Sequence, residues 1–157
     1  MSMSELKNQM RSDLKESMKA KDEPRTGALR MLLAALQEEE TKGSKHELTD
    51  ADVLAVVARE IKKRRESAEV YADAGRQELA DSELAEAKVF EAYQPAQLDD
   101  AELGELVDAA VAAVAEETGE APTMKQMGQV MKKAKADAAG RADGKRLSEA
   151  VKARLQG

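Results

Sequence analysis

Apolar residues recur along this chain at helical spacing, in runs punctuated by glycine, proline and capping residues. Leu6, Met10, Leu14 and Met18 form an i, i+4 stripe that predicts a first helix over about Ser4 to Ala20, with Ser2 and Glu5 spaced as a capping box. Pro24 suits the first position of a second helix running to about Lys42 and stopping at Gly43. Its apolar set, Ala28, Leu29, Leu32, Leu33 and Leu36, is broad enough to face two neighbours. Thr49 and Asp52 mark the next start, and Val53, Leu54, Val57, Ile61, Ala68 and Ala72 keep helical spacing to Gly75. At 1.5 Å per residue this helix is about 37 Å long, the longest of the set. A fourth, Arg76 to Ala92, is expected to bury Leu79, Leu84, Ala87 and Phe90.

Gln94-Pro95 interrupts the pattern, because proline cannot continue a helix and biases the residue before it away from helical geometry. This divides the chain into residues 1–93 and 94–157. Asp99 with Glu102 opens a fifth helix faced by Leu103, Leu106, Val107, Ala110, Val111 and Val114 and ending near Gly119. Thr123 and Gln126 repeat the capping-box spacing before a helix expected to bury Met124, Met127, Met131 and Ala134, with Val130 at the edge and Lys125 and Lys132 pointing outward. Asp143 can cap a last helix carrying Leu147, Val151 and Leu155. The expected fold is all-α, a four-helix N-terminal part followed by a small three-helix C-terminal part.

Composition sharpens this picture. Of 157 residues 42% are hydrophobic but only 2% aromatic, so the core is built from Ala, Leu, Val and Met, which favour helix over strand. The absence of cysteine removes disulfides, thiolate nucleophiles and cysteine-based metal sites. No apolar run reaches the ~18 residues of a membrane span, and the N-terminal sequence lacks the apolar centre of a signal peptide, so a cytoplasmic location is expected. The net charge of −6 is unevenly spread. Residues 93–122 hold eight acidic and no basic side chains, whereas residues 123–157 hold nine basic against three acidic, a local +6. A pI of about 5 thus conceals a basic end that can contact phosphate.

Candidate chemistry is sparse. Gly140 to Lys145, GRADGK, is one residue short of a phosphate loop between its glycines, places Arg146 where Ser or Thr would hold magnesium, and follows no strand. It reads as a helix stop followed by a helix start. His46 is the single histidine and sits in a polar loop without a nucleophile to activate. Glu38-Glu39-Glu40 and Asp99-Asp100 lack the spacing of metal ligands. Neither a catalytic set, a metal site nor a cofactor site is assigned. Two basic groups remain. Lys62-Lys63-Arg64-Arg65 alternates with Glu60, Glu66 and Glu69 and reads as a salt-bridged solvent face. The C-terminal basic residues have few acidic neighbours, and Lys125, Lys132, Lys133, Lys135, Arg141, Lys145 and Arg146 are the candidate nucleic-acid contacts. Tyr71, Tyr93 and Phe90 are the only aromatics, Tyr93 at the linker and Phe90 in the core, so backbone-directed binding is expected rather than base stacking.

Met127-Gly128-Gln129-Val130-Met131-Lys132, the turn at Gly140, and Ala142-Asp143-Gly144 before the last helix resemble the tail-domain signature of the GatB/YqeY family. With Gln94-Pro95-Ala96-Gln97-Leu98 upstream, the similarity to free-standing YqeY proteins extends over nearly the whole chain, and to GatB over the last third. GatB is the tRNA-recognising subunit of the glutamine-dependent aminoacyl-tRNA amidotransferase. The resemblance therefore implies a tRNA-binding accessory module, partnered by tRNA and by an aminoacyl-tRNA synthetase or amidotransferase. Two other readings stand beside it. One is a protein-interaction adaptor in which the methionine-lined faces or the acidic belt of residues 93–122 dock another translation enzyme. The other is a carbon–nitrogen ligase with glutamine as amide donor, for which these residues supply neither a glutaminase nucleophile nor a nucleotide site.

Overall fold

The computed structural model describes residues 4–44 and 46–156. Among them every regular element is helical, as the apolar spacing and residue composition require. The chain divides into two compact units, Met1–Gln94 and Pro95–Gly157. The first holds α1 (Glu5–Lys19), α2 (Glu23–Thr41), α3 (Asp50–Asp73) and α4 (Gln77–Glu91). The second holds α5 (Asp100–Thr118), a single 3₁₀ turn at Met124–Gln126, α6 (Met127–Ala138) and α7 (Gly144–Gln156).

The starts are set by side chains that satisfy otherwise unpaired backbone N–H groups. Ser2 lies outside the described residues, and the cap of α1 is Ser4, whose Oγ accepts from the Lys7 N–H at 3.2 Å. Asp22 accepts from the Arg25 N–H at 3.2 Å, so Glu23 is the first residue of α2 and Pro24 the second. The Thr49/Asp52 box is reciprocal: the Asp52 N–H donates to Thr49 Oγ1 at 3.2 Å and the Thr49 N–H to Asp52 Oδ2 at 2.9 Å. Asp99 and Glu102 repeat it at 2.8 and 3.1 Å. Thr123 and Gln126 form a third box, which opens the 3₁₀ turn ahead of α6.

Unit one packs Met10 of α1, Leu29, Leu32 and Leu36 of α2, Val53, Val56, Val57 and Ile61 of α3, and Ala87 and Phe90 of α4 into one core. Met18 does not join it and is 49% exposed. An i, i+4 row drifts by about 40° per step, so Met18, three steps on from Leu6, stands about 120° away from where the row began. Ser17 is buried at that end instead, its hydroxyl 2.8 Å from Thr26 Oγ1 and 3.0 Å from the Leu14 carbonyl. In α4 the expected Leu79 and Leu84 are exposed, and Ala80 and Ala87 face inward. Leucines five residues apart stand about 140° apart and cannot share one face, whereas alanines seven apart do. The small side chains let α4 lie along α3, its principal neighbour.

Two further expectations change. Arg64 is buried rather than on a solvent face: Nη1 donates to Glu60 Oε1 at 2.8 Å, Nε to Glu86 Oε2 at 3.3 Å, and the guanidinium lies 5.0 Å from the centre of the Phe90 ring. Lys62, Lys63 and Arg65 of the same cluster remain exposed. Tyr93 is buried as well, its hydroxyl donating to Asp13 Oδ2 at 2.6 Å and tying the end of α4 to α1. Burial, then the Asp13 carboxylate, pushes its phenol well above the ordinary tyrosine value.

Unit two is a three-helix core of Leu103, Val107, Ala110 and Val114 from α5, Val130, Ala134 and Ala138 from α6, and Leu147 and Val151 from α7. Val130 is the centre of the α6 face rather than its edge, with Met127 and Met131 half-buried beside it and Met124 40% exposed. The 3₁₀ turn, at three residues rather than 3.6 per turn, takes Met124 out of register with the α6 face. Gln97 and Leu98 belong to this unit: the Leu98 N–H donates to the Arg141 carbonyl at 2.8 Å and Gln97 Nε2 to the Gly140 carbonyl at 3.2 Å.

Candidate nucleic-acid interface

The seven candidate contacts separate by chemistry. The arginines are committed to the fold. Arg141 donates from Nε to the Ala138 carbonyl at 3.1 Å and from Nη2 to the Asp137 carbonyl at 3.2 Å, filling acceptors left open at the C-terminus of α6. Arg146 donates from Nη1 to the buried Leu98 carbonyl at 2.9 Å and from Nη2 to Asp100 Oδ1 at 3.1 Å, clamping the start of α5 to α7. Arg154 pairs with Asp108 across the same two helices. A planar guanidinium suits such forked internal duty better than an ammonium.

The lysines are not committed in this way. Lys133 pairs with Asp137 one turn on at 3.5 Å. Lys125, Lys132, Lys135 and Lys145 are exposed, and none makes an ion pair within 4.0 Å among the described residues. Lys132 and Lys135 stand on the α6 side opposite Val130 and Ala134, accompanied by exposed Gly128 and Ala136. Short side chains there leave the lysines standing above a low surface; a Cβ at Gly128 would meet no atom within 4 Å. On α7, Lys152 follows Lys145 by seven residues, about two turns, and so shares its face. Lys152 was recognisable from that spacing and belongs with the candidates.

Outside this face, a cleft of about 300 Å³ in unit one is lined by Glu39, His46, Leu48, Asp52, Ala55, Val56 and Arg59. Its polar groups are engaged. Arg59 Nη1 lies 3.3 Å from Glu39 Oε2, His46 Nδ1 is 2.9 Å from the Ser44 carbonyl, and Asp52 serves the α3 cap. The hydrogen bonds from Thr49 hold the Asp52 carboxyl below the usual carboxylate value. Among the described residues no group of three or more His, Asp or Glu is placed to hold a metal ion, and no helix is long and apolar enough to cross a membrane.

Comparison with known proteins gives two findings. A family model described as Yqey-like protein matches residues 7–155. An uncharacterized protein of Schizosaccharomyces pombe is 33% identical over 86 residues, 55% of this chain and 69% of that protein.

Proposed function

The chain belongs to the Yqey-like family, and on that premise we propose that it is a tRNA-binding accessory module whose contact surface is the lysine face of α6 and α7. The observation that carries this reading is the division of labour in unit two: Arg141, Arg146 and Arg154 are spent on internal contacts, while Lys125, Lys132, Lys135, Lys145 and Lys152 project into solvent. Unpaired, exposed lysines supply point charges for phosphates and little base discrimination. The burial of Tyr93 and Phe90 removes two of the three aromatics as stacking platforms, which fits backbone-directed binding. The likeness of residues 127–132 and 140–144 to the GatB tail makes tRNA the polyanion of choice, and a cytoplasmic site of action belongs to the same reading.

Protein-interaction adaptor is the second reading, favoured by the exposure of Met124 beside the lysine face. Amine-reactive labelling read by mass spectrometry separates the two. A tRNA contact protects Lys125, Lys132, Lys135 and Lys145 when tRNA is added and leaves Lys62 and Lys63 reactive. Equal labelling of all six with and without tRNA contradicts the RNA reading.

A further inference from the structure

Unit one carries a second unsatisfied cationic surface. Arg11, Lys15 and Lys19 follow one another at four-residue intervals along α1, each about 6 Å further up the helix axis. All three are exposed, and none makes an ion pair within 4.0 Å among the described residues. The strip continues onto α2. Arg30, also exposed and unpaired by the same criterion, places Nη2 3.9 Å from Sδ of Met18, which lies beside the α1 row. Lys21, in the turn between the two helices, adds a fifth exposed cation.

The acids nearby in sequence are Asp13, Glu16, Asp22 and Glu23, and none of them makes an ion pair within 4.0 Å with a cation of the strip. Asp13 accepts from the Tyr93 hydroxyl at 2.6 Å and from Gln9 Nε2 at 2.8 Å, Asp22 is the cap of α2, and Glu16 is paired with Arg25 at 3.9 Å. The sequence pattern hides this, because residues 1–92 sum to a net −4. These acids keep their charge but are directed to other partners, and the gathering of Arg11, Lys15, Lys19 and Arg30 into one strip appears only once the helices are placed.

We infer that this α1–α2 strip is a separate phosphate-contact surface for an RNA backbone, distinct from the lysine face of α6 and α7 and not dependent on it. Its chemistry favours RNA over a protein partner. Protein interfaces are depleted of lysine and need about 800 Å² from each side around apolar anchors, whereas the strip offers three lysines and two arginines around Met18, with no cluster of apolar anchors. Cations spaced along one helix without an accompanying exposed aromatic supply the electrostatic, sequence-independent part of nucleic-acid binding.

The test uses the full chain with unfractionated tRNA as the probe, titrated from 50 to 300 mM salt. Three proteins are compared: the wild type, an Arg11→Ala/Lys15→Ala/Lys19→Ala/Arg30→Ala variant, and a Lys125→Ala/Lys132→Ala/Lys135→Ala variant. Each phosphate contact contributes about 0.7–0.9 to the slope of log K against log salt, so loss of the strip is expected to reduce the slope by about 3 and weaken binding at least about tenfold at 100 mM. All substituted side chains are exposed, so an unchanged circular-dichroism melt is expected and shows that the fold is intact. The α6 variant reports on the other surface alone, so the two readings fail separately. An unchanged slope and affinity in the α1–α2 variant overturns the inference whatever the α6 variant does. Retained tRNA binding with loss of binding to phosphatidylglycerol vesicles overturns it in favour of a membrane surface.

Discussion

Replacing Arg64 with alanine tests how unit one is held together. Arg64 is 8% exposed and bridges Glu60, 7% exposed, to Glu86 across the α3–α4 pair while its guanidinium covers Phe90. Removing one partner of a buried ion pair typically costs about 3–5 kcal/mol, because the remaining charge stays desolvated. Two features reduce that here. Arg59 Nε lies 3.7 Å from Glu60 and can take up part of the charge, and Glu86 is only partly buried. The lost cation–π contact adds back about 1 kcal/mol. A net cost of about 3 kcal/mol follows, and at roughly 4–8 °C per kcal/mol for a unit of this size, the melting temperature falls by about 12–24 °C. The loss should depend on pH. Burial and the neighbouring Glu83 hold the Glu86 carboxyl above its usual value of 4.5, and Arg64 pulls it down. An acid whose folded-state value is raised costs stability as pH rises through that value, and without Arg64 the shift is larger. The deficit of Arg64→Ala is therefore greatest near pH 7 and shrinks as the pH is lowered toward 4.5. Thermal unfolding followed by circular dichroism at both pH values measures this. A cost below about 0.5 kcal/mol, or one that grows on acidification, refutes the assignment of Arg64 as the buried bridge.

Other substitutions test separate parts of the fold. Ala139 ends α6 with φ of 48°, a left-handed conformation that strains any residue with a Cβ, so Ala139→Gly is expected to stabilise unit two by about 0.5–1 kcal/mol in denaturant unfolding. Tyr93→Phe removes the hydroxyl bond to Asp13 and is expected to cost about 1–2 kcal/mol, measured the same way. The Asp52 carboxyl is held below its usual 3.8 by Thr49, so its contribution is present above that pH and lost as pH falls through the lower folded value. Asp52→Asn should therefore flatten the acid limb of the stability curve below about pH 4.

The helices were legible from the sequence because periodicity, caps and stops agreed on them. The Thr49/Asp52 and Asp99/Glu102 boxes pair as their spacing required, and Gly119 stops α5 in the left-handed conformation. Errors arose where one residue type had two possible fates. Met18, Leu79 and Leu84 are apolar enough for a core, but only the packed helices show that Ser17 and Ala80 take inward positions, whereas Ala87 and Phe90 are buried as the spacing required. Arg64 sat in a run of four cations that gave no sign which one turned inward; that choice depends on Glu86 and Phe90, more than 20 residues away in sequence. The basic character of the C-terminal part could be counted directly. Which cations stay available could not, since the partners of Arg146 are the Leu98 carbonyl and Asp100, brought together only by the three-helix fold.

The most direct measurement is tRNA binding by the full chain across a salt series, compared with the Lys125→Ala/Lys132→Ala/Lys135→Ala variant and with Lys133→Ala alone. If the lysine face is the contact surface, the triple variant lowers the slope of log K against log salt by about 2–3. Lys133, already paired with Asp137, changes it by less than about 0.5. A wild type that does not bind at 50 mM salt, or a triple variant with an unchanged slope, contradicts the account and leaves those lysines as solvated surface.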